Sequence, residues 1–183
     1  MCIRDSLSVG RQHIGLRLGG AVSRLDIVLE GLGQGAVDPI LTREEGRPER
    51  LLYGYDDLDP SLRGWLHILR DSSKTRLTRA LEDLMAAASG PAAALRAAEA
   101  LAFLDPSHEP AQQRLIAAHA RAGNTAAALR QYDALWRELD EVHDCEPAPE
   151  TVDLIASVKL GTFPAPRAAA PSAAVPAPGR CPA

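Results

Sequence analysis

Ala92-Ala93-Ala94-Leu95-Arg96 returns as Ala126-Ala127-Ala128-Leu129-Arg130, 34 residues further along the chain. At that offset residues 89–105 and 123–139 agree at seven of 17 positions, the last two being Ala100/Ala134 and Leu101/Leu135. A period of about 34 residues is the length of one helix–turn–helix unit, which buries its apolar face by stacking on a neighbour. Two such units make a helical surface rather than a cleft, so contact with another protein is expected, not catalysis. Ala is abundant throughout the chain, and composition alone accounts for part of the agreement.

Turn residues punctuate the same stretch. Asp59-Pro60 combines a capping carboxylate with a proline at the first helical position. From there Leu62, Trp65, Leu66, Leu69, Leu77, Leu81, Leu84 and Met85 keep helical spacing, giving a helix that runs to Ala88 or breaks near Ser72-Ser73. Gly90-Pro91 restarts the chain as a helix over 91–104, ended by Asp105-Pro106. A third helix is expected over 109–122, closed by Gly123-Asn124. A fourth spans 125–142, with Leu129, Tyr132, Leu135, Trp136 and Leu139 on its buried side. The last covers 149–160, after Pro147-Ala148-Pro149. Gly123, Ala128, Tyr132 and Leu135 fall where a tetratricopeptide unit has its Gly, Ala, aromatic and small residues. His119 and Leu135 depart from that pattern. Ala94 and Ala128 are then the close-contact positions.

The flanks read differently. Met1–Ser6 resembles an adaptor-derived leader. Arg11–Leu18 alternates, with Ile14, Leu16 and Leu18 on one side, as a short strand does. It reads as the last strand of a domain lying upstream, or as a small hairpin with residues 7–10. Ser23 is the expected N-cap of a helix closed by Gly31-Leu32-Gly33. Residues 34–59 read as a long connection packed through Ile40, Leu41, Leu51, Leu52, Tyr53 and Tyr55. In 161–183, 14 of 23 residues are Ala or Pro. So little apolar bulk cannot offset ordering entropy, and a disordered Ala/Pro-rich linker is expected there.

Composition is that of a soluble globular chain: 46% hydrophobic, 24% charged and a net charge of −4 over 183 residues. That balance offers no electrostatic reason for nucleic-acid binding by these helices. Cys2, Cys145 and Cys181 are far apart and lack metal-ligand spacing, which fits free thiols in a reducing, cytoplasmic setting. No apolar run approaches a membrane span, and no catalytic, cofactor or metal set is suggested by spacing.

The stretch from Asp59-Pro60-Ser61-Leu62-Arg63-Gly64-Trp65-Leu66 to Cys145–Thr151 resembles the bacterial transcriptional activator domain (BTAD) of SARP-type regulators. Four motifs carry the resemblance: D-P-x-x-x-x-W-L, L-D-P-S-H-E-P-A at Leu104–Ala111, G-N-x-x-x-A-L-R-x-Y at Gly123–Tyr132 and E-P-x-P-E-T at Glu146–Thr151. Where that family favours a Leu-Gly pair, this chain has His143-Asp144. The resemblance implies an all-α fold of tetratricopeptide-like helical hairpins over residues 22–160. It also implies an upstream winged helix, of which residues 7–20 are a remnant and through which alone DNA is contacted. The implied function is that of a regulatory and protein-contact module of a transcriptional regulator. Its partners would be neighbouring domains, a second protomer or the transcription machinery. A free-standing peptide-binding scaffold is one alternative. Another is the regulatory part of a signalling enzyme, such as a nucleotide cyclase, continuing past residue 183.

Candidate contact residues are Arg76, Arg79, Gln113 and Arg121, chosen for the helix faces that line the inner curve of such stacks. Trp65, Tyr132 and Trp136 are expected in the core rather than in a ligand pocket. Arg70, Lys74, Arg76 and Arg79 are expected to form a solvated helix face, and His119 to pack between helices. Gly31–Gly35 lacks the lysine and the strand–helix context of a phosphate loop. Asp56-Asp57-x-Asp59 lacks the glycine and terminal glutamate of a calcium loop.

Overall fold

Ser23 opens the helical part of the chain. Its hydroxyl accepts from the Asp26 amide at 3.1 Å and so satisfies one of the free donors at the start of α1, Arg24–Gly33. A computed structural model describes residues 7–9, 14–16, 23–87 and 90–163 of the chain. Ahead of α1, β1 (Leu7–Val9) and β2 (Ile14–Leu16) pair antiparallel, with Leu7 opposite Leu16 and Val9 opposite Ile14. The strand read over 11–18 is therefore not alone: the hairpin alternative is the observed one. The leader 1–6, Ala88 and the tail beyond Phe163 lie outside the described residues.

After α1 the chain makes three 3-10 turns, Pro39–Thr42, Glu44–Gly46 and Pro48–Arg50. The first two lie so close that a Cβ on Gly46 would sit 2.0 Å from the Ile40 carbonyl oxygen. Only glycine fits there without a backbone shift. Of the six residues expected to pack this connection, Leu41 is buried and Ile40 half-buried, whereas Leu51, Leu52, Tyr53 and Tyr55 are exposed. Pro48 is the buried residue that the sequence reading missed.

α2 (Pro60–Ala87) is one helix without a break at Ser72-Ser73. Ser73 is buried and continues the helix because its hydroxyl donates back to the Leu69 carbonyl at 2.7 Å, leaving no unpaired polar atom. α3 (Pro91–Leu104), α4 (Glu109–Arg121), α5 (Thr125–His143) and α6 (Pro149–Lys159) follow within one residue of their expected bounds. Gly123, at φ +74°, takes the left-handed turn after α4, and the Asn124 amide reaches back to the His119 carbonyl at 2.9 Å. Asn124 then caps α5, accepting from the Ala127 amide.

Two compact units divide the chain, residues 1–112 and 113–183. In the first, α2 packs against α3, α1 and the last 3-10 turn, burying Leu66, Ser73, Leu77, Leu81, Leu84 and Met85, and α3 buries Ala94, Ala97, Ala98 and Leu101. Ala at those positions lets the two backbones approach closely. α1 lies on α2, and the first 3-10 turn brings Leu41 to α3. In the second unit Ile116 of α4, Ala128 of α5, and Ile155 and Val158 of α6 form one cluster. Leu129, Tyr132, Leu154 and Phe163 close around it. α2–α3 is one helical hairpin and α4–α5 another, α4 beginning in the first unit at Glu109, and the described helices form an all-α, tetratricopeptide-like fold.

Candidate functional site

The basic residues of α2 do not project freely. Arg70 Nε donates to the Leu51 carbonyl at 2.9 Å, and its guanidinium makes a two-pronged contact with the Asp56 carboxylate. Arg70 Nη2 also reaches the Leu52 carbonyl at 3.3 Å. Leu52 holds a left-handed φ of +51°, unfavourable for a residue with a Cβ, and the arginine fixes the carbonyls on either side of that strain. The hydrogen bond from Arg70 holds the Asp56 carboxyl below its ordinary range, and Asp56 in turn raises Arg70. Lys74 lies 3.9 Å from Glu49, and Arg76 donates to Asp26 at 3.1 Å. The Asp26 carboxyl is lowered first by the Ser23 hydroxyl and then by Arg76. The face read as solvated is, over these three residues, a strap holding α1 and the 49–56 segment against α2. Sequence offered no signal for those partners, which lie 14 to 50 positions away.

The four candidate contact residues divide between the two units. Arg76 is engaged by Asp26, and Gln113 Nε2 donates to the Thr151 hydroxyl at 2.9 Å, tying α4 to α6. Arg79 is exposed on α2. Arg121 ends α4, exposed, with its guanidinium 5.7 Å from the centre of the Phe163 ring.

The aromatic residues correct the sequence reading. Trp65 is 53% and Trp136 40% exposed, so neither is core. Tyr132 is half-buried, 6.1 Å from Trp136 and with the Lys159 ammonium 5.9 Å from its ring centre. Its hydroxyl is raised above the ordinary tyrosine range by burial, with Asp133 and Glu146 adding to the effect.

His108 has a role that scattered spacing did not show. Its Nδ1 accepts from the Ala111 amide at 3.2 Å, so the proton sits on Nε2, 3.0 Å from Glu82 of α2. It therefore caps α4 and ties the α3–α4 turn to α2. Asp57 pairs with Arg63, and Asp59 accepts from the Ser61 and Leu62 amides at the start of α2. Both acts are structural.

A cavity of about 250 Å³ lies between α1, the 3-10 turns and α2, lined by Arg24, Val28, Ile40, Leu41, Arg50 and Leu77 among others. Its lining is chiefly apolar, and the one buried hydroxyl there, Ser73, is satisfied by its own helix. No group of three His, Cys, Asp or Glu side chains is placed to hold a metal among the described residues. Cys145 is an exposed thiol. No described helix is long and apolar enough to cross a membrane.

Comparison with known proteins yields one positive finding. Neither the curated proteins nor the solved structures gave a match. The sequence model of the bacterial transcriptional activator domain matches residues 55–159, from the turn before α2 to the last residue of α6. That span is more than half of the chain and takes in both hairpins and all four quoted motifs. With the helices in place and the domain matched along this length, the chain belongs to the bacterial transcriptional activator domain family.

Proposed function

We propose that the domain regulates transcription by protein contact and does not itself read DNA. The family match over 55–159 carries this reading, because that domain is one of transcriptional activators. Electrostatics agree with it: Arg63, Arg70, Lys74 and Arg76 each meet a carboxylate of the chain, so α2 offers phosphates little unpaired charge. DNA is then contacted through an upstream winged helix, of which residues 7–20 are a remnant. The helices meet neighbouring domains, a second protomer or the transcription machinery in the cytoplasm. Arg79 and Arg121 are the contact residues proposed for those surfaces.

The test is a fusion of this chain to an unrelated DNA-binding domain, with transcription from a reporter carrying its site in a bacterial host. The expected result is activation above the DNA-binding domain alone, lowered severalfold by Arg79→Glu or Arg121→Glu without change in fusion abundance. No activation, or full activation by both variants, sinks the reading. A sequence-dependent shift of duplex DNA by the isolated chain at physiological salt overturns it from the other side.

A further inference from the structure

One narrow sector of the exposed surface of α2 carries no charged side chain from Ser61 to Thr75, about four turns. At about 100° per residue, Ser61, Trp65, Ile68, Ser72, Thr75 and Arg79 fall in one sector about 80° wide. All six are exposed, Ile68 by 69% and Trp65 by 53%. Arg63, His67, Arg70, Asp71 and Lys74 lie outside the sector, and Arg76, at its margin, is held by Asp26. Solvent faces of helices ordinarily carry charged residues. Here the steps between stripe residues alternate four and three, the spacing of the seam between two paired helices.

We propose that two copies of this chain pair through this stripe, antiparallel, about a two-fold axis at Ile68. A closed two-fold uses the same patch on both copies, so the stripe must be complementary to itself. It is so in this register. Trp65 of each copy lies over Ser72 of the other, Ser61 meets Thr75, and Ile68 meets Ile68, setting large side chains against small ones. The same register brings Arg79 to the Asp57–Asp59 stretch of the other copy. The Asp57 carboxylate is 96% exposed even while paired with Arg63, which leaves it room for a second cation. A parallel pairing would set Trp65 on Trp65 and Arg79 on Arg79, crowding the one bulky ring and opposing like charges. The stripe from Ser61 to Arg79 spans about 27 Å, which puts the interface at the small end of specific contacts. A dissociation constant on the order of 10–100 µM is expected. The pairing gives the contact reading above a partner and rests on it for biological meaning. Association is measured without transcription, so either can fail alone.

The experiment uses the 183-residue chain with Cys2, Cys145 and Cys181 changed to Ser. Sedimentation equilibrium from about 5 to 500 µM is expected to show monomer and dimer in exchange. Ile68→Glu puts two carboxylates on the axis and is expected to weaken association at least tenfold, with Tm unchanged because the side chain is exposed. Arg79→Glu weakens it less, and Asp57→Lys added to Arg79→Glu restores it. For the register, a mixture of Ser61→Cys and Thr75→Cys chains is expected to form a disulfide under mild oxidation, and Ser61→Cys alone to stay unlinked. A chain monomeric over the whole range, or a dimer indifferent to Ile68→Glu, overturns the proposal. So does linkage of Ser61→Cys to itself, which only a parallel pair allows.

Discussion

The two hairpins share a pentapeptide but not a burial pattern. Ala94 and Ala128 are both buried, Leu101 and Leu135 likewise, and the other matched positions also agree in exposure, until Ala100, buried, meets Ala134, exposed. α3 is covered on more than one side, by α2 and by the first 3-10 turn, and so buries Ala94, Ala97, Ala98 and Ala100. α5 is longer and buries a single stripe, Ala128, Leu135 and Leu139. The repeat therefore specifies which face of each helix turns inward. The elements that happen to flank it decide how far the burial extends.

The largest effect is expected where the copies agree. Leu101→Ala and Leu135→Ala each remove a fully buried side chain and should each cost about 2–5 kcal/mol, read from urea denaturation. If one were nearly silent, the two helices would not be equivalent members of a repeat. Next comes the position where they differ. Ala100→Leu should overpack α3 and cost about 1–3 kcal/mol, whereas Ala134→Leu should stay within about 0.5 kcal/mol. Equal costs would mean that the two alanines are equally enclosed.

The caps sharpen the comparison on a smaller scale. α5 starts with a side-chain cap and α3 does not, since Gly90 precedes Pro91 without one. Asn124→Ala should cost about 1 kcal/mol, and Gly90→Ala should not cost a hydrogen bond. At the other end of α5, Asp144 sits at φ +50° with the Cys145 amide bonded back to the Leu139 carbonyl. That left-handed backbone suits a glycine, and Asp144→Gly is expected to raise stability by about 0.5–1 kcal/mol, seen as a higher Tm.

The smallest effect is one of pH. Asp26 and Asp56, both in the first unit, have folded pKa values below their unfolded ones. Their contribution is complete above the unfolded value of about 3.9 and is lost as pH falls from there through the folded values. Protection factors for amide exchange in the 24–56 segment should therefore fall as pH drops below about 4, before those of α5 and α6. Loss of protection in both regions together would remove the strap as a separate feature.

Much of this architecture was legible from residues near one another in the chain. Ser23, Asp59, Pro91, Asn124 and Gly123 act within a turn of their own position, by satisfying or ending a helix, and the helix bounds they imply are observed. The burial of Ala94, Ala128, Leu101 and Leu135 was likewise readable, because a period of about 34 residues repeats a face as well as a sequence. The contact residues were less legible. Arg76 and Gln113 were selected for the face they occupy, yet each is held by a partner, Asp26 or Thr151, tens of residues distant.

What the amino-acid order determined alone was therefore local: where helices begin and stop, which face of each is apolar, and that two units repeat. Tertiary structure decided the rest. Trp65, Trp136 and Tyr53 are apolar by composition and exposed by placement, and Arg70, Lys74 and Arg76 are charged by composition and tied down by placement. The reason is physical. Burial and ion pairing depend on which distant segment arrives beside a side chain, and the periodicity of a single helix shows where a face points but not what comes to cover it.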